Sequence, residues 1–228
     1  MSNWIEYPDR TALFEGLANV VEANLRHALN TRGKAVLAVP GGTTPAPFFS
    51  ILRKSQLDWA KVSVLLTDER FVPETCERSN TRLLREALLQ DNAKAATLVA
   101  LYKEADTAQQ VLAQLTAGIQ AVLPLDVCVL GMGADMHTAS LFPGADLLAQ
   151  ALSDTAPPLL PMRAPGVPET RLTLTAPVLQ NAETVHILIA GKQKQEAYAR
   201  ACQAGPVEQA PVRIVLNRKG PVLVHYAD

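Results

Sequence analysis

Cysteine is scarce in this sequence, long apolar runs are absent, and neither sign of charge is in excess. The three cysteines, Cys76, Cys128 and Cys202, show no C-x-x-C spacing and no even count, which argues against a disulfide framework or a zinc site. No apolar run reaches the roughly 18 residues that a membrane span requires. The opening residues lack a basic start and an apolar core, so we expect no signal peptide and a cytoplasmic, reducing setting.

The charge balance excludes some partner classes. The 21 Lys and Arg residues and the 22 Asp and Glu residues are mixed along the chain, which gives a net charge of −1. This balance does not favour nucleic acid or a membrane surface as the main partner. A small anionic ligand stays compatible, because its site needs only a few local cations. With 48% hydrophobic residues, the chain predicts one α/β domain over residues 1–228.

Apolar spacing predicts alternating strands and helices. Leucines and valines three and four residues apart mark 11–31 as an amphipathic helix that ends before Gly33. Further helices are expected after Thr43 and Thr44 as N-caps, after Ser79 or Asn80, over 106–122, and in "KQKQEAYARAC". Strands are expected in "KAVLAV", "KVSVLLTDER", "ATLVALY", "LDVCVLGMG", "ETVHILIAG", "PVRIVLN" and "PVLVHYAD".

This order predicts an open, mostly parallel α/β sheet with helices on both faces, of Rossmann-like type. The proline-rich residues 151–170 are expected to form an irregular surface loop. Ligands of such sheets bind at the carboxyl ends of the strands. Four segments fall there, namely "PGGTTP", "TDER", "GMGADMH" and "AGKQK", and the unusual residues of the chain collect in them.

The segment "PGGTTP" has the composition of an anion-binding turn. Gly41 and Gly42 let the backbone approach a ligand, and Thr43 and Thr44 add hydroxyl donors at a helix start. The alternative is an ordinary strand-to-helix turn with a capping threonine. The segment matches neither the Walker A nor the dinucleotide-binding glycine pattern.

The segment "TDER" places three charged residues directly after an apolar strand. Such groups are costly to bury unless they are paired or used. Arg70 offers a planar fork for phosphate or a sugar oxygen, and Asp68 could hold that arginine or contact hydroxyls. The alternative is a local ion pair between aspartate and arginine at a turn.

The segment "GMGADMH" contains the one histidine whose setting suggests acid–base chemistry. Gly131 and Gly133 allow close backbone approach, and Asp135 lies two residues before His137. In a tight turn the carboxylate would accept the imidazole N–H, fix its tautomer and raise the basicity of the other nitrogen. The alternative is a histidine that caps a short helix.

Cations in the last third of the chain suit an anion. Arg171 lies in "RLTLT", and Lys192 and Lys194 begin a helix, where a positive side chain opposes the helix dipole. A bound anion would explain that placement. The sequence leaves open which lysine faces the ligand.

Taken in order, "PGGTTP", "TDERFVP", "LGMGADMHTASLFPG", "RLTLT" and "GKQK" resemble the motifs of 6-phosphogluconolactonases. These enzymes are similar in fold to glucosamine-6-phosphate deaminases. The resemblance implies hydrolysis of 6-phospho-D-glucono-1,5-lactone to 6-phosphogluconate in the oxidative pentose phosphate pathway. It implies a sugar-phosphate substrate. No cluster of His, Cys and carboxylate residues has the spacing of metal ligands, so we expect no metal, and we expect no cofactor and a monomer or small homo-oligomer.

The resemblance also implies roles for individual residues. His137 corresponds to the general base, and Arg70 matches an arginine at the phosphate or carboxyl region of the substrate. Asp135, placed by its spacing to His137, completes the expected catalytic group. The substrate contacts that it implies are Gly41, Gly42, Thr43, Thr44, Arg171 and Lys194. From their own positions at the strand ends, Asp68, Gly131 and Gly133 are expected to contact the substrate as well. One position departs from the pattern, because Met136 stands where the family usually has glycine. If that position needs a positive φ angle, Met136 must be strained or the turn must differ.

Two other functions stay open from the sequence. A deaminase would typically read "FNEPG" and "DEY" where this chain has "SLFPG" and "DER", and both differences favour the lactonase. A non-catalytic sugar-phosphate sensor would keep the anion loop and lose the base. The presence of Asp135 and His137 argues against a sensor.

Overall fold

The computed structural model describes residues 2–228, which fold into ten strands and eight α-helices. The strands are β1 Asn3–Glu6, β2 Ala35–Val39, β3 Val62–Leu66, β4 Asp68–Arg70, β5 Thr97–Val99, β6 Val127–Gly131, β7 Leu159–Met162, β8 Arg171–Leu174, β9 Thr184–Ala190 and β10 Val222–Ala227. The helices are α1 Arg10–Arg32, α2 Ala46–Leu52, α3 Asn80–Ala87, α4 Ala108–Gln120, α5 Leu148–Leu152, α6 Ala176–Gln180, α7 Lys192–Ala201 and α8 Arg213–Leu216.

Seven strands form one sheet in the order β1-β10-β9-β6-β2-β3-β5, and every pair in it is parallel. From β2 the chain builds outward through β3 to β5 and then returns to place β6 on the other side of β2. The strand order therefore reverses between β2 and β6. A crevice opens at the carboxyl ends of the strands at such a reversal.

A second sheet has three antiparallel strands in the order β4-β8-β7. The predicted strand "KVSVLLTDER" is therefore divided. Its first half is β3 of the large sheet, and Asp68 begins β4 of the small one. Thr67 joins the sheets, since its N–H donates to the Val39 carbonyl at 2.9 Å and its carbonyl accepts from the Leu174 N–H at 2.9 Å.

Central strands of the large sheet are apolar throughout because both of their faces are covered. All five residues of β2 are buried, as are the first four of β6, including Cys128. Helix α1 packs against α2, β2 and β10. Its N-cap is Asp9, whose carboxylate accepts from the Ala12 N–H at 2.8 Å. Its end before Gly33 was predicted.

These elements confirm the predicted open, mostly parallel α/β sheet, and three local predictions are wrong. Residues 151–170 contain the buried strand β7 instead of an irregular loop. The segment "PVRIVLN" forms helix α8, because its apolar residues pack on one side of a short helix instead of in a sheet. Thr43 and Thr44 do not cap α2, whose N-cap position is Pro45. Strand β1 was not predicted, because its four residues do not alternate between apolar and polar side chains.

Candidate active site

A cavity of about 500 Å³ lies at the carboxyl ends of β2, β6 and β9, where β4 and β8 close one side. Two of the predicted site residues, Thr43 and Asp135, are not part of its lining. The other ten predicted residues line it: Gly41, Gly42, Thr44, Asp68, Arg70, Gly131, Gly133, His137, Arg171 and Lys194. The topology therefore brings together segments that are up to 153 positions apart in sequence.

His137 lines this cavity, and one of its ring nitrogens is hydrogen-bonded to a carboxylate. Its Nδ1 lies 2.5 Å from Oδ1 of Asp135. The hydrogen bond to His137 lowers the pKa of Asp135, so the carboxylate is an acceptor and Nδ1 carries the proton. Nε2 is then the basic nitrogen of the ring. The Phe142 ring packs against the imidazole with centroids 4.3 Å apart and limits its rotation.

The turn that presents this pair carries a strained residue. Met136 has a φ angle of +66°, in the left-handed region that side chains with a Cβ disfavour. Such a conformation costs about 1–3 kcal/mol and persists where surrounding contacts fix it. The Met136 N–H donates to the Gly133 carbonyl at 3.0 Å, and the Gly133 N–H donates to the His137 carbonyl at 2.9 Å. The turn thus keeps the positive φ angle, and the contact between Asp135 and His137 is formed.

Gly133 is glycine because the acid–base pair packs directly over it. A Cβ at this position would overlap Nδ1 of His137 and Oδ1 of Asp135. Any side chain here would therefore displace one or both members of the pair.

Two arginines of the cavity lining are paired across the small sheet. Arg70 on β4 is paired with Arg171 on β8 in the small antiparallel sheet. Each has a buried Nε without a hydrogen-bond partner in the described structure. Like charges opposite each other on a sheet repel, and unpaired buried donors are costly. An anion bound between the two guanidinium groups would relieve both penalties.

The acidic residues of "TDER" have separate structural roles. Asp68 accepts a hydrogen bond from the Ser140 hydroxyl at 2.6 Å and lies 3.8 Å from Nη1 of Arg171. The ion pair suggested by the sequence therefore involves Arg171 rather than Arg70. Glu69 is fully buried and accepts hydrogen bonds at the start of α3, from the N–H groups of Asn80 and Thr81 among others.

The glycine loop lines the cavity through its backbone. Gly42 has a φ angle of +84°, which glycine adopts without strain. The Asn80 side chain fills the space where a Cβ on Gly41 would lie, so the loop packs against the start of α3. Thr44 lines the cavity, whereas Thr43 is exposed and outside its lining.

The two candidate lysines are distinguished by position. Lys194 lines the cavity, and its Nζ donates to the Met132 carbonyl. Burial lowers its pKa, and the nearby Asp135 opposes that effect. Lys192 is exposed at the start of α7 and is not part of the cavity lining.

Sequence reasoning missed two arginines of this cavity. Arg78 lies just before α3, and its guanidinium contacts the Glu169 carboxylate. Its position between the end of β4 and the start of α3 could have marked it as a candidate cavity residue, because ligands of such sheets bind near strand ends. Arg10 reaches the cavity from the start of α1, where its Nε donates to the Asp228 carbonyl at 3.0 Å. Nothing in the local sequence signals that contact, because it depends on the pairing of β1 with β10.

Residues 2–228 contain no helix long and apolar enough to cross a membrane. Within the same residues, no three His, Cys, Asp or Glu side chains cluster in a way that suits a metal ion.

Known proteins resemble this chain over almost its whole length. Residues 8–224 match the family described as glucosamine-6-phosphate isomerases/6-phosphogluconolactonase. A 6-phosphogluconolactonase of Rhizobium meliloti (strain 1021) is 45% identical, with 97% of each chain covered. A 6-phosphogluconolactonase of Mesorhizobium japonicum is 44% identical, with 99% of this chain and 95% of that one covered.

Solved structures of related proteins have the same fold as this chain. The crystal structure of a 6-phosphogluconolactonase from Shewanella baltica OS155 has a TM-score of 0.97 at 34% identity and covers 100% of this chain and 98% of its own. A monomeric glucosamine-6-phosphate deaminase has a TM-score of 0.81 at 16% identity, with 98% and 97% covered, and shares the fold alone. The chain therefore belongs to the glucosamine-6-phosphate isomerase/6-phosphogluconolactonase family.

Proposed function

We propose that this chain hydrolyses 6-phospho-D-glucono-1,5-lactone to 6-phosphogluconate, as the names of its relatives suggest. One observation carries the chemistry: a single cavity contains an imidazole held by a carboxylate and two opposed guanidinium groups with unpartnered nitrogens. The imidazole suits proton transfer with water, and the guanidinium groups suit the phosphate or carboxyl oxygens of the substrate.

In the proposed mechanism, Nε2 of His137 removes a proton from water as the water oxygen attacks C1 of the lactone. A lactone carbonyl is already electrophilic, so no covalent nucleophile is needed. Asp135 positions the ring through Nδ1 and stabilises the imidazolium that forms. General-base help of this kind is worth roughly 10²–10⁴-fold in rate.

The tetrahedral intermediate then collapses. Backbone N–H groups of the glycine-rich turns, or Arg70, stabilise the negative charge that develops on the carbonyl oxygen. The bond between C1 and the ring oxygen breaks, and the ring oxygen takes the proton from Nε2 and leaves as an alcohol. His137 is then neutral again, and the product is a carboxylic acid that ionises in water.

The phosphate is remote from the bond that breaks, so its contacts supply binding and orientation. We propose that Arg171 and Lys194 hold it, with Arg70 between the phosphate and the reacting end. The backbone and hydroxyl of the glycine loop contact the sugar. We also propose that one domain carries all these groups, because the cavity draws on segments from Arg10 to Lys194. The cytoplasmic setting and the oligomeric state stay predictions.

The test is a coupled assay of freshly made lactone, in which 6-phosphogluconate formation is followed and spontaneous hydrolysis is subtracted. His137→Ala is expected to lower kcat by at least about 100-fold with little change in KM, because only the proton transfer is lost. His27→Ala is the matched control, since His27 is an exposed histidine on α1.

Two results would contradict the proposal. A kcat of His137→Ala within a few-fold of the parent would exclude the general-base role. Release of ammonia from glucosamine 6-phosphate, with no turnover of lactone, would assign the chain to the deaminase reaction instead.

A further inference from the structure

Three carbonyl groups on the turn after β6 accept hydrogen bonds from one later segment of the chain. The Met132 carbonyl accepts from Nζ of Lys194, the Ala134 carbonyl accepts from Nη2 of Arg200 at 2.9 Å, and the Met136 carbonyl accepts from the Val212 N–H at 3.1 Å. All three donors belong to the segment that runs from α7 into α8. The catalytic turn is thus fastened at alternate residues to a distant part of the chain.

The turn needs this support because its backbone conformation is unfavourable in isolation. Met136 is in the left-handed region, and a non-glycine residue leaves that region when its surroundings do not fix it. Within the turn, the backbone–backbone hydrogen bonds of the described residues join Gly133 to Met136 and Gly133 to His137. The Ala134 carbonyl belongs to the peptide unit that precedes Asp135, so the bond from Arg200 fixes the direction in which Asp135 leaves the turn.

The segment that supplies these donors is itself held in place. Arg213 is 7% exposed and bonds three carbonyls: Nε to Ala201 at 2.9 Å, Nη1 to Pro206 at 2.8 Å, and Nη2 to Arg200 at 3.2 Å. These bonds tie the end of α7 to the start of α8. Arg200 therefore extends from a fixed backbone, which makes its bond to Ala134 an effective restraint.

We propose that Arg200 is a positioning residue for the Asp135–His137 pair, and that its effect depends on the strained conformation of Met136. The inference rests on the proposed base role of His137. Arg200 is exposed and outside the cavity lining, so it does not touch substrate. It acts by holding the Ala134 peptide while Met136 keeps its positive φ angle.

The test is a double-mutant cycle of Arg200→Ala and Met136→Gly in the lactone assay. Arg200→Ala is expected to lower kcat about tenfold to a hundredfold with KM within twofold, because the pair is misplaced while the cationic groups stay intact. Glycine adopts the positive φ angle without strain, so the turn holds its shape without the restraint. In the Met136→Gly background, the same Arg200→Ala change is therefore expected to cost at most about threefold in kcat.

Two controls separate this effect from general destabilisation. Arg26→Ala also removes an exposed helical arginine that reaches a backbone carbonyl, that of Gln56 at 3.4 Å, and is expected to leave kcat unchanged. The thermal midpoint and the NMR signals of the His137 ring are recorded for every folded variant. Displaced His137 signals in Arg200→Ala, restored by Met136→Gly, would support positioning.

An equal loss of kcat for Arg200→Ala in both backgrounds would overturn the proposal, as would a lowered thermal midpoint with kcat unchanged. The variant His137→Ala is assayed in parallel. If it keeps its activity, the proposed base role fails; if it is inactive and the cycle shows no coupling, the positioning role alone fails.

Discussion

Arg171 is the residue whose surroundings point most directly to a bound anion. It faces Arg70 across two strands, its Nε has no partner within the described chain, and its nearest carboxylate, Asp68, lies 3.8 Å away. Burial lowers the pKa of Arg171, and Asp68 opposes that effect, so the folded state bears a cost to keep this cation. A substrate phosphate would offset the cost, which makes Arg171 the best residue on which to test the binding assignment.

We expect Arg171→Ala to raise KM for the phosphorylated lactone by about 10-fold to 100-fold, because charge-assisted hydrogen bonds of roughly 1.5–3 kcal/mol are lost. The kcat value should change much less, since the phosphate is remote from C1. Steady-state kinetics on the phosphorylated lactone measures both values. Arg171 is a cleaner probe than Lys194, because Lys194 also holds the Met132 carbonyl.

The control for this prediction is D-glucono-1,5-lactone, which lacks the phosphate. The parent protein should act on it poorly, and Arg171→Ala should change that residual activity little. An equal loss on both lactones would mean that Arg171 does not bind the phosphate.

At the scale of elements, helix α3 depends on a carboxylate that lies outside it. Glu69 accepts from the N–H groups of Asn80 and Thr81 at 2.8 and 2.6 Å, and from the Thr81 hydroxyl at 2.6 Å. Burial raises the pKa of Glu69, and these donors oppose that rise. Glu69 therefore joins β4 to α3, and through Asn80 it supports the glycine loop of the cavity.

We expect Glu69→Gln to destabilise the fold by about 1–3 kcal/mol, because an amide N–H₂ would replace a buried acceptor and face existing donors. Urea unfolding at neutral pH measures this difference. Glu86→Gln is the matched control, since Glu86 is exposed on the same helix and pairs with Arg82. Equal stabilities of the two variants would contradict the capping role.

Elements that local patterns define were predictable. Helix α1 follows apolar spacing and ends before Gly33, and α3 begins at Ser79, one of two predicted caps. Strand β7 was not predicted, because Pro161 argues against a strand. It is tolerated there since β7 is an edge strand of the small sheet. Helix α8 was read as a strand because a short apolar run fits either structure until its packing is known.

The candidate site follows the same division. The prediction that Asp135 contacts His137 is met in the structure, because two residues in one turn are neighbours whatever the fold. The place of Arg171 opposite Arg70 was not predictable, since it requires β4 to leave the large sheet and pair with β8. Contacts between residues about 100 positions apart depend on the order in which the strands pair. Local patterns in a single sequence do not reveal that order.

At the scale of the whole molecule, a buried polar chain links both ends of the sequence. The Tyr7 hydroxyl lies 2.9 Å from Nδ1 of His225, Nε2 of His225 lies 3.1 Å from Nδ1 of His186, and Nε2 of His186 lies 2.9 Å from Oδ1 of Asn24. The Asn24 side-chain oxygen can only accept, so Nε2 of His186 donates to it and Nδ1 of His186 accepts from Nε2 of His225. Nδ1 of His225 then accepts from the Tyr7 hydroxyl. Both rings are satisfied only when neutral.

This arrangement makes the fold sensitive to acid. Burial lowers the pKa of His186 to about 3 and that of His225 to about 4, from an ordinary value of 6.5. Between pH 6.5 and pH 4, His186 and His225 are protonated in the unfolded chain but stay neutral in the folded one. The free energy of unfolding therefore falls as pH falls through this window, and the loss stops once the folded rings also titrate.

We expect the free energy of unfolding to fall by up to about 1.4 kcal/mol per pH unit for each ring between pH 6 and pH 5. Urea titrations at closely spaced pH values measure this slope, in a range where most carboxylates remain ionised. His186→Asn should reduce the slope by about half, because one of the two depressed imidazoles is gone. His27→Asn removes an exposed histidine instead and should leave the slope unchanged. If the parent chain keeps the same stability at pH 5 as at pH 6.5, both rings bind protons in the folded state and the neutral chain of hydrogen bonds is wrong.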